Sequence, residues 1–212
     1  EDTLSLHDAL PICYSSSLYD EVCKEISNTP FPREYTGKNK TEHQSIIDYY
    51  MENHSEHQSP GRALELFHFN FSICMDIGAW RDMQRHRFLT QFFPNFEFAS
   101  EEVSMHPLLE EEQFLSLKEL FISITKERKN TIPKNSINYP YSLLLGQKIQ
   151  WNGQMNLREA IYVSERRSKK EGHISYRIIA NKIANKIAST FPELEKHIKV
   201  DTDLTTVFAR KK

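Results

Sequence analysis

Along residues 15–26, Leu18, Tyr19, Val22, Cys23 and Ile26 recur at intervals of three and four, which predicts an amphipathic helix. Pro30 and Pro32 end it, and 32–40 reads as a polar loop. A second helix is expected over 42–54, with Ile46, Ile47, Tyr50 and Met51 on one face, and Pro60-Gly61 closes the polar stretch that follows. Residues 64–74 then change period. Phe67, Phe69, Phe71 and Ile73 fall on one side and Leu66, His68, Asn70 and Ser72 on the other, the alternation of a strand. A helix is expected over 78–92, carrying Arg81, Arg85 and Phe88 along one line with Asp82 beside Arg85. Residues 94–104 are irregular. The longest helical pattern, 107–129, points Leu108, Leu109, Leu117, Leu120, Phe121 and Ile124 inward, and a loop follows over 131–140. A strand is expected over 141–151, with Gly146 marking a bulge. Helices are expected over 156–167 and 172–190, with a short piece after Pro192, and Ile179, Ile183 and Ile187 form a core stripe. The pattern as a whole is α+β, a mixed or antiparallel sheet flanked by helices.

Composition narrows the class. The chain has 212 residues, 39% of them apolar, enough for one domain with a sizeable core. Mean hydropathy is −0.59, and the longest apolar run is only a few residues, so no transmembrane helix can be drawn and no membrane partner is expected. A net charge of −2 provides no global field for nucleic acid. Three widely spaced cysteines, Cys13, Cys23 and Cys74, fit a reduced thiol set and a cytoplasmic location. Residues 3–12 read TLSLHDALPI, which ACT CTT TCC CTA CAC GAC GCT CTT CCG ATC encodes, a match to a common sequencing-adapter tail. Residues 1–12 are therefore expected to be non-native and residues 13–212 to form the domain. The leader holds Glu1, Asp2 and Asp8 and no base, so the mild acidity belongs to it and the remaining positive charge matters locally.

The densest polar cluster is Arg81-Asp82-Met83-Gln84-Arg85-His86-Arg87. Arg85 and Arg87 can grip phosphate or a planar acceptor in bidentate fashion, and His86 can stack or donate. A solvated helix face explains the same residues. Asp76 and Asp82 dilute the cluster as a nucleic-acid patch. Asn156 sits where a helix N-cap is needed, and Arg158, Arg166 and Arg167 follow on that helix, with Arg167 about 100° round from Arg166. His54 and His57 have helical spacing but no supporting third ligand, so no metal site is assigned. Cys74 lacks an evident base partner and reads as a buried thiol. The common nucleotide, phosphate, zinc and hydrolase signatures are absent.

Taken together, two segments resemble the flavin-dependent thymidylate synthases (ThyX). One is Glu65-Leu66-Phe67-His68-Phe69-Asn70-Phe71 followed by Arg85-His86-Arg87; the other is Asn156-Leu157-Arg158-Glu159-Ala160 with Arg167 eleven residues past the Asn. Gly172-His173-Ile174-Ser175-Tyr176-Arg177 falls where that family begins its next helix, and the resemblance covers roughly residues 41–198. It implies a ThyX-like fold and the reductive methylation of dUMP to dTMP with methylenetetrahydrofolate, NADPH and FAD. By the same resemblance Arg85, His86, Arg87, Asn156, Leu157, Arg158 and Tyr162 would contact FAD, with Arg85 also reaching the nucleotide. Arg167 would polarise the uracil and promote ionisation of its N3, because a fixed guanidinium beside a ring carbonyl stabilises the anion.

The sequence also departs from the family pattern. Asp82 stands where Gln is usual, Pro140 where an arginine is expected, and residues 88–96 replace a Ser-, Asn-, Glu- and Arg-rich phosphate loop without any arginine. The wording RDMQRHR, SPGRALE and NLREA is similar to a divergent branch in which two ThyX-like units share one polypeptide. The domain would then be the C-terminal unit of a longer chain, acting as a homo-oligomer or with a second ThyX-like unit. A non-catalytic half that binds flavin or completes a partner's site is the alternative reading.

Overall fold

The computed structural model describes residues 6–11, 17–27, 40–101, 103 and 111–205. The loop expected before Lys40, and Cys13, Leu108 and Leu109, lie outside them. The centre is an antiparallel sheet of strands β1 (Leu6–Pro11), β2 (His68–Asp76), β3 (Leu89–Phe92) and β4 (Lys148–Asn156), in the order β1-β2-β4-β3. The long central pair runs from His68↔Asn156 to Asp76↔Lys148, and β3 pairs Leu89 with Met155. The β1 ladder runs from Leu6↔Ile73 to Pro11↔Phe69, with a register shift between His7 and Leu10.

Period-two alternation decides the layers. Phe69, Phe71, Ile73 and Met75 of β2 and Ile149, Trp151 and Met155 of β4 are all buried on one face. Among the described residues six helices accompany the sheet: α1 (Leu18–Ser27), α2 (Lys40–Met51), α3 (Ile77–Met83), α4 (Glu111–Thr131), α5 (Leu157–Arg167) and α6 (Ile174–Thr190). Helix α6 packs on β2 and α5 through the buried stripe Ile179, Ile183 and Ile187. The buried Arg177 of α6 donates to the carbonyls of Ser168, at 3.0 Å, and Asp203, which fastens the tail against the helix. The opposite sheet face is polar, with Ser72 bonded to Asn152 and Gln154 to Asn70, as expected for an antiparallel sheet with one face toward water. No helix among the described residues is long and apolar enough to cross a membrane.

Four expectations change. The strand drawn over 64–74 begins only at His68, because Arg62–Leu66 forms a 3₁₀ turn. The helix drawn over 78–92 stops at Met83, and Leu89–Phe92 is a strand. Helix α3 is capped at its start by Asp76, which accepts from the Ala79 amide at 2.7 Å, while the Leu-Thr-Gln-Phe run favours extended backbone beside β4. The strand drawn over 141–151 begins only at Lys148, because Tyr139–Ser142 forms a 3₁₀ turn. In α4, Leu117 and Leu120 are exposed, and the helix instead buries Thr125 and Arg128; Arg128 Nη1 donates to Gln147 Oε1 at 2.7 Å and its guanidinium lies over Tyr139. Polar anchoring at its C-terminal half replaces the leucine stripe.

Gly153 is fixed by what lies over it. A Cβ there would stand 2.3 Å from Cζ2 of Trp151, whose indole is fully buried and whose Nε1 donates to Gln91 Oε1 at 3.1 Å. The ring therefore has nowhere to retreat. Gly153→Ala is expected to lower the urea-unfolding free energy by about 1–3 kcal/mol through overpacking; an unchanged urea midpoint would mean that the indole can move aside.

Candidate functional site

Strand β4 ends at Asn156, whose side chain accepts from the Glu159 amide at 2.8 Å and so caps α5, as its position in the sequence suggested. The first turn of α5 then projects Arg158 toward the 3₁₀ turn Arg62–Leu66. Arg158 Nε donates to the Pro60 carbonyl at 2.8 Å and Nη1 to Glu65 Oε1 at 2.6 Å. Glu65 also accepts from Arg62, at 3.0–3.3 Å, and Arg62, with Arg158 behind it, holds its carboxyl below the usual range. The 62–66 turn is anchored from below. Glu25 of α1 accepts from the Tyr50 hydroxyl and from the amides of Arg62 and Ala63, and burial followed by the Glu25 bond pushes the Tyr50 phenol upward. Above this frame lies a cleft of about 480 Å³, bounded by Ser59, Arg62, Phe88, Asn156, Arg158 and Tyr162.

The Arg-His-Arg segment does not lie on one helical face. The chain turns after α3, leaving Arg85 and Arg87 exposed and His86 buried. His86 turns Nδ1 toward Glu159 Oε1 at 3.4 Å, and its Nε2 accepts from Arg167 Nε at 2.8 Å. Tyr162 stands edge-on to the imidazole, 5.9 Å between centroids. Arg167 also donates through Nη2 to the Asp82 carbonyl at 2.7 Å and stacks over the Tyr176 ring. The Asp82 carboxylate lies 3.6 Å from Nη1 of both Arg85 and Arg167.

The residues singled out in the sequence thus fall into two adjoining sets. Asn156, Arg158 and Tyr162 line the cleft, whereas Arg85, His86 and Arg167 gather around Asp82. Leu157 is fully buried. Arg166 lines a second cleft of about 330 Å³ with Tyr162, His57, Glu165, Lys169 and Lys199. Sequence reasoning missed Glu159 as the carboxylate facing His86. The only trace is the Asn-x-x-Glu spacing of a capping box, and that spacing points to a different job. The cleft-lining roles of Arg62 and Phe88 carried no local signal.

His54 is structural in its contacts. Its Nε2 meets Glu165 Oε1 at 2.8 Å and its Nδ1 meets the Gln58 carbonyl at 3.0 Å. No group of three His, Cys, Asp or Glu among the described residues could hold a metal ion. Cys74 is half-buried rather than buried, because it occupies a polar-face position of β2.

A family model described as thymidylate synthase complementing protein matches residues 3–193, and the chain belongs to that family. A UPF0159 protein of Chlamydia pneumoniae is 30% identical over 149 residues, covering 68% of this chain and 27% of that protein. A UPF0159 protein of Thermoplasma acidophilum is 32% identical over 151 residues, covering 67% of this chain and 29% of that protein. The chain therefore spans under a third of the length of these curated relatives. Among solved structures, thymidylate synthase X (ThyX) of Helicobacter pylori with FAD and dUMP superimposes with a TM-score of 0.60 at 16% identity, over 90% of this chain and 97% of that one. The fold is ThyX-like.

The Glu165 hydrogen bond raises the pKa of His54 above its ordinary 6.5, against a smaller opposing effect of burial. A raised histidine contributes stability that is complete below about pH 6.5 and is lost as pH climbs through the folded-state value. In urea unfolding, wild type is expected to exceed Glu165→Gln in stability at acidic pH, with the gap closing in alkaline buffer. A gap that stays constant with pH would remove the charge of His54 from the account.

Proposed function

We propose that this chain is a flavin-dependent thymidylate synthase-type unit, a cytoplasmic enzyme acting on dUMP. The observation that carries the reading is an open cleft, edged by Arg62, Arg158, Phe88 and Tyr162, that Tyr162 and His86 link to a guanidinium, Arg167, already fixed in place. The donor set suits FAD in kind: cationic forks for its phosphates, aromatic side chains for its rings, and a cleft volume within the usual range for ligand sites. Bound FAD would supply the hydride chemistry of reductive methylation, with methylenetetrahydrofolate as the carbon donor and NADPH as the reductant. Arg158, Asn156 and Tyr162 would hold the flavin, and the exposed Arg85 and Arg87 would reach its phosphates or the nucleotide. His86 would act from behind, keeping Arg167 aimed. Arg167 would stabilise the uracil with its N3 proton removed, since a preorganised cation costs nothing to reorient during the reaction.

Pairing with a second ThyX-like unit belongs to the same proposal. The matched relatives are more than three times as long as the segment they share with this chain, which leaves them room for further units. A second reading, a half that holds flavin without turning over dUMP, is favoured by one observation: the Asp82 carboxylate lies against both Arg85 and Arg167.

Purified protein reconstituted with FAD is expected to keep a bound-flavin absorbance spectrum through gel filtration and to release the C5 hydrogen of dUMP. Arg167→Ala is expected to slow that release by about 100- to 1,000-fold while flavin and circular dichroism stay as in wild type. Loss of all flavin on the column would overturn the proposal. Flavin retained without C5 hydrogen release would select the second reading.

A further inference from the structure

We infer that Asp82 is an internal counter-ion of the Arg85–Arg167 pair that competes with anionic ligands for Arg85, and so sets how strongly this unit prefers a nucleotide over its uncharged nucleoside. The nucleotide part of the inference rests on the function proposed above; the anion part does not.

The geometry separates two jobs of one residue. The Asp82 backbone carbonyl is held by Arg167 Nη2 at 2.7 Å, which places the end of α3 whatever the side chain carries. The carboxylate is a separate feature. Its Oδ1 stands 3.6 Å from Nη1 of Arg85 and 3.6 Å from Nη1 of Arg167, within ion-pair reach but beyond a hydrogen bond. One acid is thus shared loosely between two guanidiniums, with neither held in a bidentate fork. A phosphate offers three oxygens and can satisfy the exposed Arg85 more fully, while Arg167 stays available to the base.

None of the remaining contacts of Arg167 is a carboxylate: they are the His86 ring, a backbone carbonyl and the Tyr176 face. Glu159 reaches it only through the imidazole. Asp82 is therefore the carboxylate that directly offsets this guanidinium. The side chains of Asp82 and Arg85 are 27% and 64% exposed, so the pair opens to solvent on the side from which an anion would arrive. An arriving dianion must displace the carboxylate or lie against it. Both routes cost affinity, and neither acts on a ligand without charge. Residues 88–96, which follow the Arg-His-Arg segment, bring no basic side chain that could make up the loss.

The test compares Asp82→Asn, which removes the charge at nearly constant shape, with Asp82→Glu, which keeps it. Calorimetric titration of the flavin-reconstituted protein would use three probes: inorganic phosphate, dUMP and deoxyuridine. Asp82→Asn is expected to bind phosphate and dUMP about ten-fold more tightly than wild type, with deoxyuridine unchanged and Asp82→Glu close to wild type. A merely structural role would instead move all three probes together, or move Asp82→Glu as far as Asp82→Asn. A gain for phosphate alone would keep Asp82 as the counter-ion and overturn the nucleotide reading. No gain for either anion, or an equal gain for deoxyuridine, would overturn the inference.

Discussion

His86 has two ring nitrogens, and both are committed inside the protein. Nε2 accepts from Arg167, so it must present a lone pair, and the ring proton then sits on Nδ1 facing Glu159. The imidazole cannot rotate without breaking one contact or the other. Glu159 lies in the first turn of α5 and Arg167 at its last residue, about 12 Å apart along the axis. One side chain from the turn after α3 therefore grips both ends of α5. Asp82 lies at the end of α3 and Arg85 in the turn that follows, so His86 and the Arg167 bond to the Asp82 carbonyl together hold the charged centre against α5.

Carboxylates are used in the same way on both sides of this ring. Glu65 lies between Arg62 and Arg158, and Asp82 lies between Arg85 and Arg167. Each acid serves two guanidiniums, which orients them and lowers their net charge before any ligand arrives. The two cases differ in closeness. Glu65 makes direct hydrogen bonds, at 2.6 Å to Arg158, and belongs to the frame; Asp82 stays outside bonding distance of its two arginines. The two acids thus offset half of the charge of these four guanidiniums.

The sequence made β2 readable because its aromatic alternation has only one solution: Phe69, Phe71 and Ile73 go inward and Asn70 stays in water. Helices α5 and α6 were readable for similar reasons, a correctly placed N-cap at Asn156 and an isoleucine stripe every four residues. Residues 89–92 were not, because Arg81, Arg85 and Phe88 continue a helical spacing that nothing local contradicts. What decides their state is distant: the unpaired edge of β4 and the bond from Trp151 to Gln91. The site follows the same division. Its residue types stood out as two clusters, yet adjacency along the chain does not reveal that His86 faces inward while its neighbours face outward. Nor could any spacing announce Glu159, whose partner lies seventy-three residues earlier.

The bond between Trp151 and Gln91 also bears on the edge of the sheet. Strand β3 is tied to the core by a buried indole as well as by its ladder, and Phe88, Phe92 and Phe93 stand largely exposed on or beside it. Ordering a backbone costs roughly 1–2 kcal/mol per residue, and here folding has already met that cost. The rings are presented from a stiff frame, with few torsions left to freeze. This edge is a preorganised aromatic shelf, where a flexible loop of the same composition would first have to be ordered.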